Sequence, residues 1–228
     1  RPPRSTLFPY TTLFRSDADF TAENITYNDL GCGTFDAVVQ GETKGHFHLS
    51  VVGRHNISNT LACLALASLY GINDGTVQKA LTTFHGADRR FEYKGEKNGF
   101  TIIDDYAHHP TEIRATLTAA KNYPHKTLWC AFQPHTYTRT KALFNDFVKE
   151  LRVPDVVVLA EIYAAREQND IGISSMDLSR EIPGSVYCPT LDKVTAALAR
   201  IACPGDLILT VGAGDIFKAG EKLLKEEK

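Results

Sequence analysis

The second half of the chain alternates short apolar runs with amphipathic stretches. The apolar runs have strand length and cover residues 100–104, 127–132, 155–160, 185–188 and 206–211. Helical spacing of apolar residues falls between them, over 111–122, 141–152, 176–181 and 190–201, with a last helix near 215–226. This alternation predicts an α/β fold with a mainly parallel sheet and right-handed crossovers.

The preceding part of the chain has a different pattern. Apolar and polar residues alternate over 34–52 on both sides of a polar turn that contains glycine, which predicts a β-hairpin. A helix is predicted to end at Gly71, and a shorter one over 74–84. The composition then turns small and polar at 86–88, so we expect one domain over 17–88 and a second over 89–228.

Residues 1–16 have no coherent period and lack the order of a signal peptide. Within them, residues 6–16 (TLFPYTTLFRS) resemble one reading frame of a common sequencing adaptor. We therefore expect 1–16 to be a non-native, adaptor-derived segment and leave it out of the fold prediction.

The composition limits the classes of protein to which this chain can belong. The 228 residues are 43% hydrophobic and 23% charged, which is typical of a globular chain of one or two domains. A net charge of −2 without a basic run predicts no general binding of nucleic acid. No apolar stretch approaches the roughly 18 residues of a membrane span. The five cysteines are scattered and form no Cys-x-x-Cys pair, which favours a reducing cytoplasm.

Candidate chemistry follows the predicted strands at their carboxyl ends, which share one edge in a parallel sheet. Asp104 and Asp105 close the first of these strands; a carboxylate there could bind a ribose hydroxyl or a magnesium-associated water, or merely cap a helix or turn. His108 and His109 are adjacent and lack the i, i+4 spacing of helical zinc ligands, so we predict no metal ligand.

The other strand ends add to this set. After the second strand, His135 could orient a polar substrate, and Arg139 offers a planar fork for a carboxylate or phosphate unless it lies on a solvated helix face. Residues 161–167 again place charge and an aromatic ring at this edge. The Gly212-Ala213-Gly214 segment is poor evidence for dinucleotide binding, and tight strand-helix packing is the better interpretation.

Two further groups lie near the predicted boundary. Arg89 and Arg90 follow it directly, where an arginine could neutralise phosphate charge. Asn56 and Asn59 lie at a predicted helix start, where a side-chain amide can cap the helix or hydrogen-bond a base edge. The residues alone leave these alternatives open.

Six segments in order resemble the Mur ligase family over 17–228: GRHNISN, GADRRFE, DDYAHHPTEI, FQPHTYTRT, EIYAARE and VGAGDI. The resemblance implies that 17–88 is the end of the family's central ATPase domain and that 89–228 is its C-terminal Rossmann-like domain. The family's Gly-Lys-Ser/Thr phosphate loop occurs nowhere in this sequence.

The resemblance implies a bacterial, cytoplasmic, ATP-dependent ligase that joins L-alanine to UDP-N-acetylmuramate through an acyl phosphate in peptidoglycan precursor synthesis. It implies that Asn56 and Asn59 contact adenine, and that the catalytic candidates Arg90 and Asp105 contact the γ-phosphate and the ribose or phosphate end of ATP. The alanine pocket would be lined by Tyr106, His108, His135 and Arg139. Most ligands of Mg²⁺ and phosphate would precede these residues, so we expect the chain alone to be inactive.

Three alternatives remain. A murein tripeptide recycling ligase of the same family would be expected to carry Phe at position 106 and to lack the Gln-Pro-His run at 133–135. A hydrolase could use His108, His109 and His135 around zinc. A non-catalytic nucleotide-binding module would bind ATP by itself.

Overall fold

A computed structural model of the protein describes residues 18–225. The chain divides into two compact units, and the division falls between Gly86 and Ala87. The predicted adaptor-derived segment 1–16 lies outside the described residues. Among the described residues, no helix combines the length and apolar character needed to cross a membrane.

The first unit is a three-stranded antiparallel sheet with two helices. Its elements are β1 (Phe20–Tyr27), β2 (Cys32–Val39), β3 (Glu42–Val52), α1 (Arg54–Leu69) and α2 (Asp74–Thr83). Strands β2 and β3 form the predicted hairpin, and β1 adds a strand that the sequence pattern did not indicate. Phe35 and Phe47 from the sheet and Ile57 and Leu61 from α1 are fully or almost fully buried and form the centre of its core.

The end of α1 confirms the predicted glycine stop. Gly71 has φ of 68°, a left-handed conformation that glycine adopts without steric cost. The next N–H, from Ile72, donates to the carbonyl of Ala67 at 2.9 Å. This bond satisfies a carbonyl that would otherwise be orphaned in the last turn.

The second unit is a six-stranded sheet with helices on both faces. Its elements are β4 (Glu92–Lys97), β5 (Phe100–Asp105), α3 (Pro110–Lys121), β6 (Leu128–Phe132), α4 (Tyr137–Ala142), α5 (Phe144–Glu150), β7 (Val156–Ala160), α6 (Ser175–Glu181), β8 (Val186–Cys188), α7 (Leu191–Ile201), β9 (Leu207–Val211) and α8 (Phe217–Lys225). The strand order is β4-β5-β9-β6-β7-β8, and all neighbours except β4 and β5 are parallel. The predicted mainly parallel α/β fold is confirmed.

Alternation along the buried strands separates two cores. In β6, Leu128, Cys130 and Phe132 pack on the face covered by α3, α5 and α6. Trp129 and Ala131 pack on the opposite face, which α7 and α8 cover. A strand buried on both faces reads as a continuous apolar run, which explains why β6 was easy to predict.

Two details of the prediction for the second unit were wrong. Strand β4 was not predicted, because it is an antiparallel edge strand of mostly polar sequence, EYKGEK. The single helix expected over 141–152 is two helices, α4 and α5, that begin at Tyr137. Leu143 leaves the helical conformation, with φ of −110° and ψ of 21°, and packs against the core below α5.

Candidate functional site

Four strands of the second unit end level with one another. Asp105 at the end of β5 pairs with Val211 of β9, and Val211 also pairs with Phe132 of β6. Phe132 in turn pairs with Leu159 of β7. The segments after these strands therefore share the carboxyl edge of the sheet, as the sequence predicted.

Asp105 is buried at this edge, and the chain itself binds both of its carboxylate oxygens. One oxygen accepts the Ala107 N–H at 2.7 Å, and the other accepts the Phe91 N–H at 2.8 Å. Burial raises the pKa of Asp105, while these hydrogen bonds and the charge of Arg90 act in the opposite direction. Asp105 thus holds the loop after β5 in place even without a ligand. Its contact with ATP stays a prediction.

Neither aspartate caps a helix, but the alternative role in a turn applies to Asp105, whose side chain accepts the N–H of the residue two positions on. His109 is the N-cap of α3: its Nδ1 accepts the Thr111 N–H at 3.3 Å. Glu112 completes the capping box by accepting the N–H groups of His109 at 3.3 Å and His108 at 3.1 Å. These bonds hold the backbone that carries the His108 ring.

Aromatic rings from three strand ends form a continuous row. The centroids of Tyr106 and His108 are 5.5 Å apart, and those of His108 and His135 are 6.0 Å apart. Tyr163 then stacks on His135 at 5.5 Å. Three of the four predicted pocket residues are therefore brought together. Tyr163 was not among the predicted site residues, although the charged and aromatic segment 161–167 signalled it.

Backbone hydrogen bonds align the two strand ends that supply this row. The Thr136 N–H donates to the Tyr163 carbonyl, and the Tyr163 N–H donates to the Pro134 carbonyl, both at 2.9 Å. Thr136 has φ of 69°, an uncommon conformation for a β-branched residue. This turn leads directly into α4, on which Arg139 lies.

Two nitrogen atoms at this edge are buried without a hydrogen-bond partner among the described residues, namely Nδ1 of His135 and Nη1 of Arg139. Burial lowers the pKa of His135, and the positive charges of Arg139 and His108 lower it further. The lowered pKa favours the neutral form of the His135 ring. Because buried polar groups are nearly always hydrogen-bonded, this pair indicates a place for a polar ligand.

The adjacent arginines differ in their surroundings. The Arg89 side chain is largely buried and forms an ion pair with Asp104, with 2.7 Å between Nε and Oδ2. Arg90 is exposed, and its guanidinium lies 5.9 Å from the Tyr106 ring centroid. Of the two, Arg90 is the one whose charge remains accessible to an anion.

Asn56 and Asn59 lie on the first turns of α1 in the first unit. Asn56 donates to the Val52 carbonyl at 2.9 Å, and Asn59 donates to the Asn56 side-chain oxygen at 3.1 Å. Neither caps the helix, because its N-cap is Gly53 and no side chain bonds there. The helix-capping alternative is therefore wrong, and the contact with adenine stays a prediction.

The glycine segment after β9 packs tightly, as expected. A Cβ atom on Gly212 would lie 2.6 Å from the Gln133 carbonyl oxygen, and one on Gly214 would lie 2.3 Å from Gln133 Oε1. The role of Gln133 as the contact for this segment was not predicted. Within the described part of the chain, no group of three or more His, Cys, Asp or Glu side chains is placed to hold a metal ion.

A sequence model of the Mur ligase family, described as "Mur ligase, glutamate ligase domain", matches residues 89–214, which is more than half of the chain. The chain belongs to the Mur ligase family. It is 52% identical over 217 residues to the UDP-N-acetylmuramate–L-alanine ligase of Agathobacter rectalis, covering 93% of this chain and 47% of that relative. The corresponding ligase of Lachnoclostridium phytofermentans is 45% identical over 212 residues, covering 91% and 45%.

A solved Mur ligase structure has the same fold. The crystal structure of the UDP-N-acetylmuramate-alanine ligase from Thermotoga maritima aligns with a TM-score of 0.78 and 27% identity, covering 92% of this chain and 46% of that one. The chain thus spans about half the length of these Mur ligases.

Proposed function

We propose that this chain supplies the amino-acid-binding part of a bacterial, cytoplasmic Mur ligase that joins L-alanine to UDP-N-acetylmuramate with ATP. The observation that supports this most directly is the pair of buried, unpartnered nitrogens on His135 and Arg139 beside the aromatic row. Similarity to alanine-adding ligases over nearly the whole chain supports the choice of substrate.

The chemistry of the pocket suits a small amino acid. The guanidinium of Arg139 can donate to the alanine carboxylate in a charge-assisted pair. A neutral His135 adds a polar nitrogen without a second positive charge. The single charge of Arg139 then balances the single negative charge of the alanine carboxylate. The rings of Tyr106 and Tyr163 would cover the remaining surface and limit the size of the substrate side chain.

The predicted contacts with ATP are consistent with the exposed position of Arg90. Its charge can reach a phosphate. Asp105 already accepts two backbone N–H groups and the Thr116 side chain, so a contact with ATP would use the remaining acceptor capacity of its carboxylate. Bound ATP would activate the muramate carboxylate as an acyl phosphate, which the alanine amine then attacks. We propose that Mg²⁺ is held mainly by the part of the whole ligase that this chain does not span.

The tripeptide-recycling alternative is disfavoured by two features of the sequence. By the resemblance to the family, a recycling ligase would carry Phe at position 106 and lack the run Gln133-Pro134-His135. These residues also contribute to the site: Gln133 contacts the glycine segment, and Tyr106 and His135 belong to the aromatic row.

The proposal can be tested with an extended ligase, in which the N-terminal half of the Agathobacter rectalis enzyme precedes residues 18–228 of this chain. Phosphate release is measured with UDP-N-acetylmuramate, ATP and Mg²⁺, and with either L-alanine or the murein tripeptide. We expect release that depends on L-alanine. Release that depends only on the tripeptide would favour the recycling ligase and contradict the proposal.

A further inference from the structure

Arg89 differs from Arg90 in that every nitrogen of its guanidinium donates a hydrogen bond inside the second unit. Its Nε donates to Asp104 at 2.7 Å, its Nη1 to the Gly214 carbonyl at 3.1 Å and its Nη2 to the Gly212 carbonyl at 2.6 Å. One side chain therefore joins the end of β5 to the glycine segment after β9. Lysine could not make these three bonds, because its single ammonium lacks the planar fork.

Two aromatic rings lie against the same guanidinium. Its Cζ is 4.9 Å from the centroid of Tyr106 and 4.5 Å from that of Phe217. The Tyr106 N–H also donates to the Arg89 carbonyl at 2.7 Å. Arg89 thus contacts both the backbone N–H and the aromatic ring of Tyr106.

The backbone of Arg89 is itself fixed in an uncommon conformation. Its φ is 57°, and its N–H donates to Glu92 Oε2 at 2.8 Å. The Asp104 carboxylate that receives Arg89 is almost completely buried and also accepts the Thr210 hydroxyl at 2.6 Å. This network leaves the guanidinium little freedom to move.

We propose that Arg89 is a positioning residue for the amino-acid pocket: it sets the Tyr106 ring against His108 and so aligns the row that continues to His135. Arg89 is not itself placed to bind the substrate, because each of its three guanidinium nitrogens already donates a hydrogen bond within the second unit and two aromatic rings lie against the group. The assignment of the row to the pocket rests on the proposed function, whereas the positioning of the rings by Arg89 is independent of it.

The first test uses the chain as given and needs no ligand. The ring-proton resonances of His108 are measured by NMR in the unmodified chain and in Arg89→Lys, with Arg200→Lys as a control for the same exchange on the exposed last turn of α7. We expect a shift of the His108 resonances in Arg89→Lys alone, since the ring current of Tyr106 changes. Unchanged His108 resonances would overturn the proposal.

A second variant keeps the test decisive if Arg89→Lys does not fold. Phe217→Leu removes one of the rings on the guanidinium and leaves its three hydrogen-bond acceptors in place. We expect a smaller shift of the His108 resonances in the same direction, with the core methyl resonances of Ile113 and Leu117 retained. Retained core resonances without any shift at His108 would count against the proposal.

The extended ligase separates this proposal from the proposed function. Arg89→Lys should raise the KM for L-alanine about tenfold, equivalent to about 1.4 kcal/mol, and change the KM for ATP much less. A shift at His108 together with an unchanged KM for L-alanine would support the positioning by Arg89 and overturn the assignment of the row to the alanine pocket.

Discussion

Gln133 and Asp215 bind each other through two hydrogen bonds: Gln133 Nε2 donates to Asp215 Oδ1 at 3.0 Å, and the Asp215 N–H donates to Gln133 Oε1 at 2.9 Å. Gln133 Oε1 also accepts the Ile216 N–H at 3.1 Å. Gln133 follows β6 and Asp215 follows β9, so this pair fixes two neighbouring strand ends relative to each other. The site is thus built on a network within the sheet edge itself.

Gly214→Ala should destabilise the second unit by about 1–3 kcal/mol, the usual cost of overpacking. The added Cβ would lie 2.3 Å from Gln133 Oε1 and 2.7 Å from Tyr163 Cγ. Thermal unfolding measures the effect. Gly45→Ala, whose nearest contact would be an ordinary 3.4 Å to the Phe47 ring, is the control. Equal melting temperatures for the two variants would show that the glycine segment is not tightly packed.

The pKa of His135 should lie below its ordinary value of about 6.5, first because the ring is buried and then because Arg139 and His108 are close. Below that pH the unfolded chain binds more protons than the folded chain, so stability should fall as the pH drops from 6.5 toward the folded pKa. NMR titration of the ring gives this pKa directly. A pKa at or above 6.5 would show that the His135 ring is not buried beside Arg139 and His108.

The hydrophobic pattern was sufficient to predict most of the second unit. Strands such as β6 and β9 are buried on both faces, so their apolar runs stand out, and the carboxyl ends of parallel strands must share an edge. This is why the sequence alone predicts that Asp105, His135 and Arg139 lie at one edge. Strand β4 gave no such signal because an edge strand can be polar.

Pairing between side chains distant in sequence could not be read from the pattern. Arg89 and Arg90 are adjacent, and nothing in the sequence pattern distinguishes them. Only the fold shows that Arg89 binds Asp104 while Arg90 stays exposed. Gln133 and Gly214 are similar: their contact spans 81 positions and depends on how β6 and β9 lie side by side. Tyr163 reaches His135 for the same reason.

The chain as given should release no phosphate from ATP in the presence of UDP-N-acetylmuramate, Mg²⁺ and L-alanine. Its sequence contains no Gly-Lys-Ser/Thr phosphate loop, and phosphoryl transfer depends almost entirely on positioning and on neutralising the phosphate charge. We therefore expect a loss of many orders of magnitude relative to the extended ligase. Comparable turnover by the two proteins would contradict this expectation.

The central claim is that Arg139 binds the carboxylate of L-alanine, and the most direct measurement is the KM for L-alanine and for ATP in the extended ligase carrying Arg139→Ala. Loss of a charge-assisted pair costs about 2–5 kcal/mol, so the KM for L-alanine should rise by well over tenfold and that for ATP should change little. Lys141→Ala removes an exposed charge from the same helix and is the control. An unchanged KM for L-alanine in Arg139→Ala would remove Arg139 from the pocket and contradict the account.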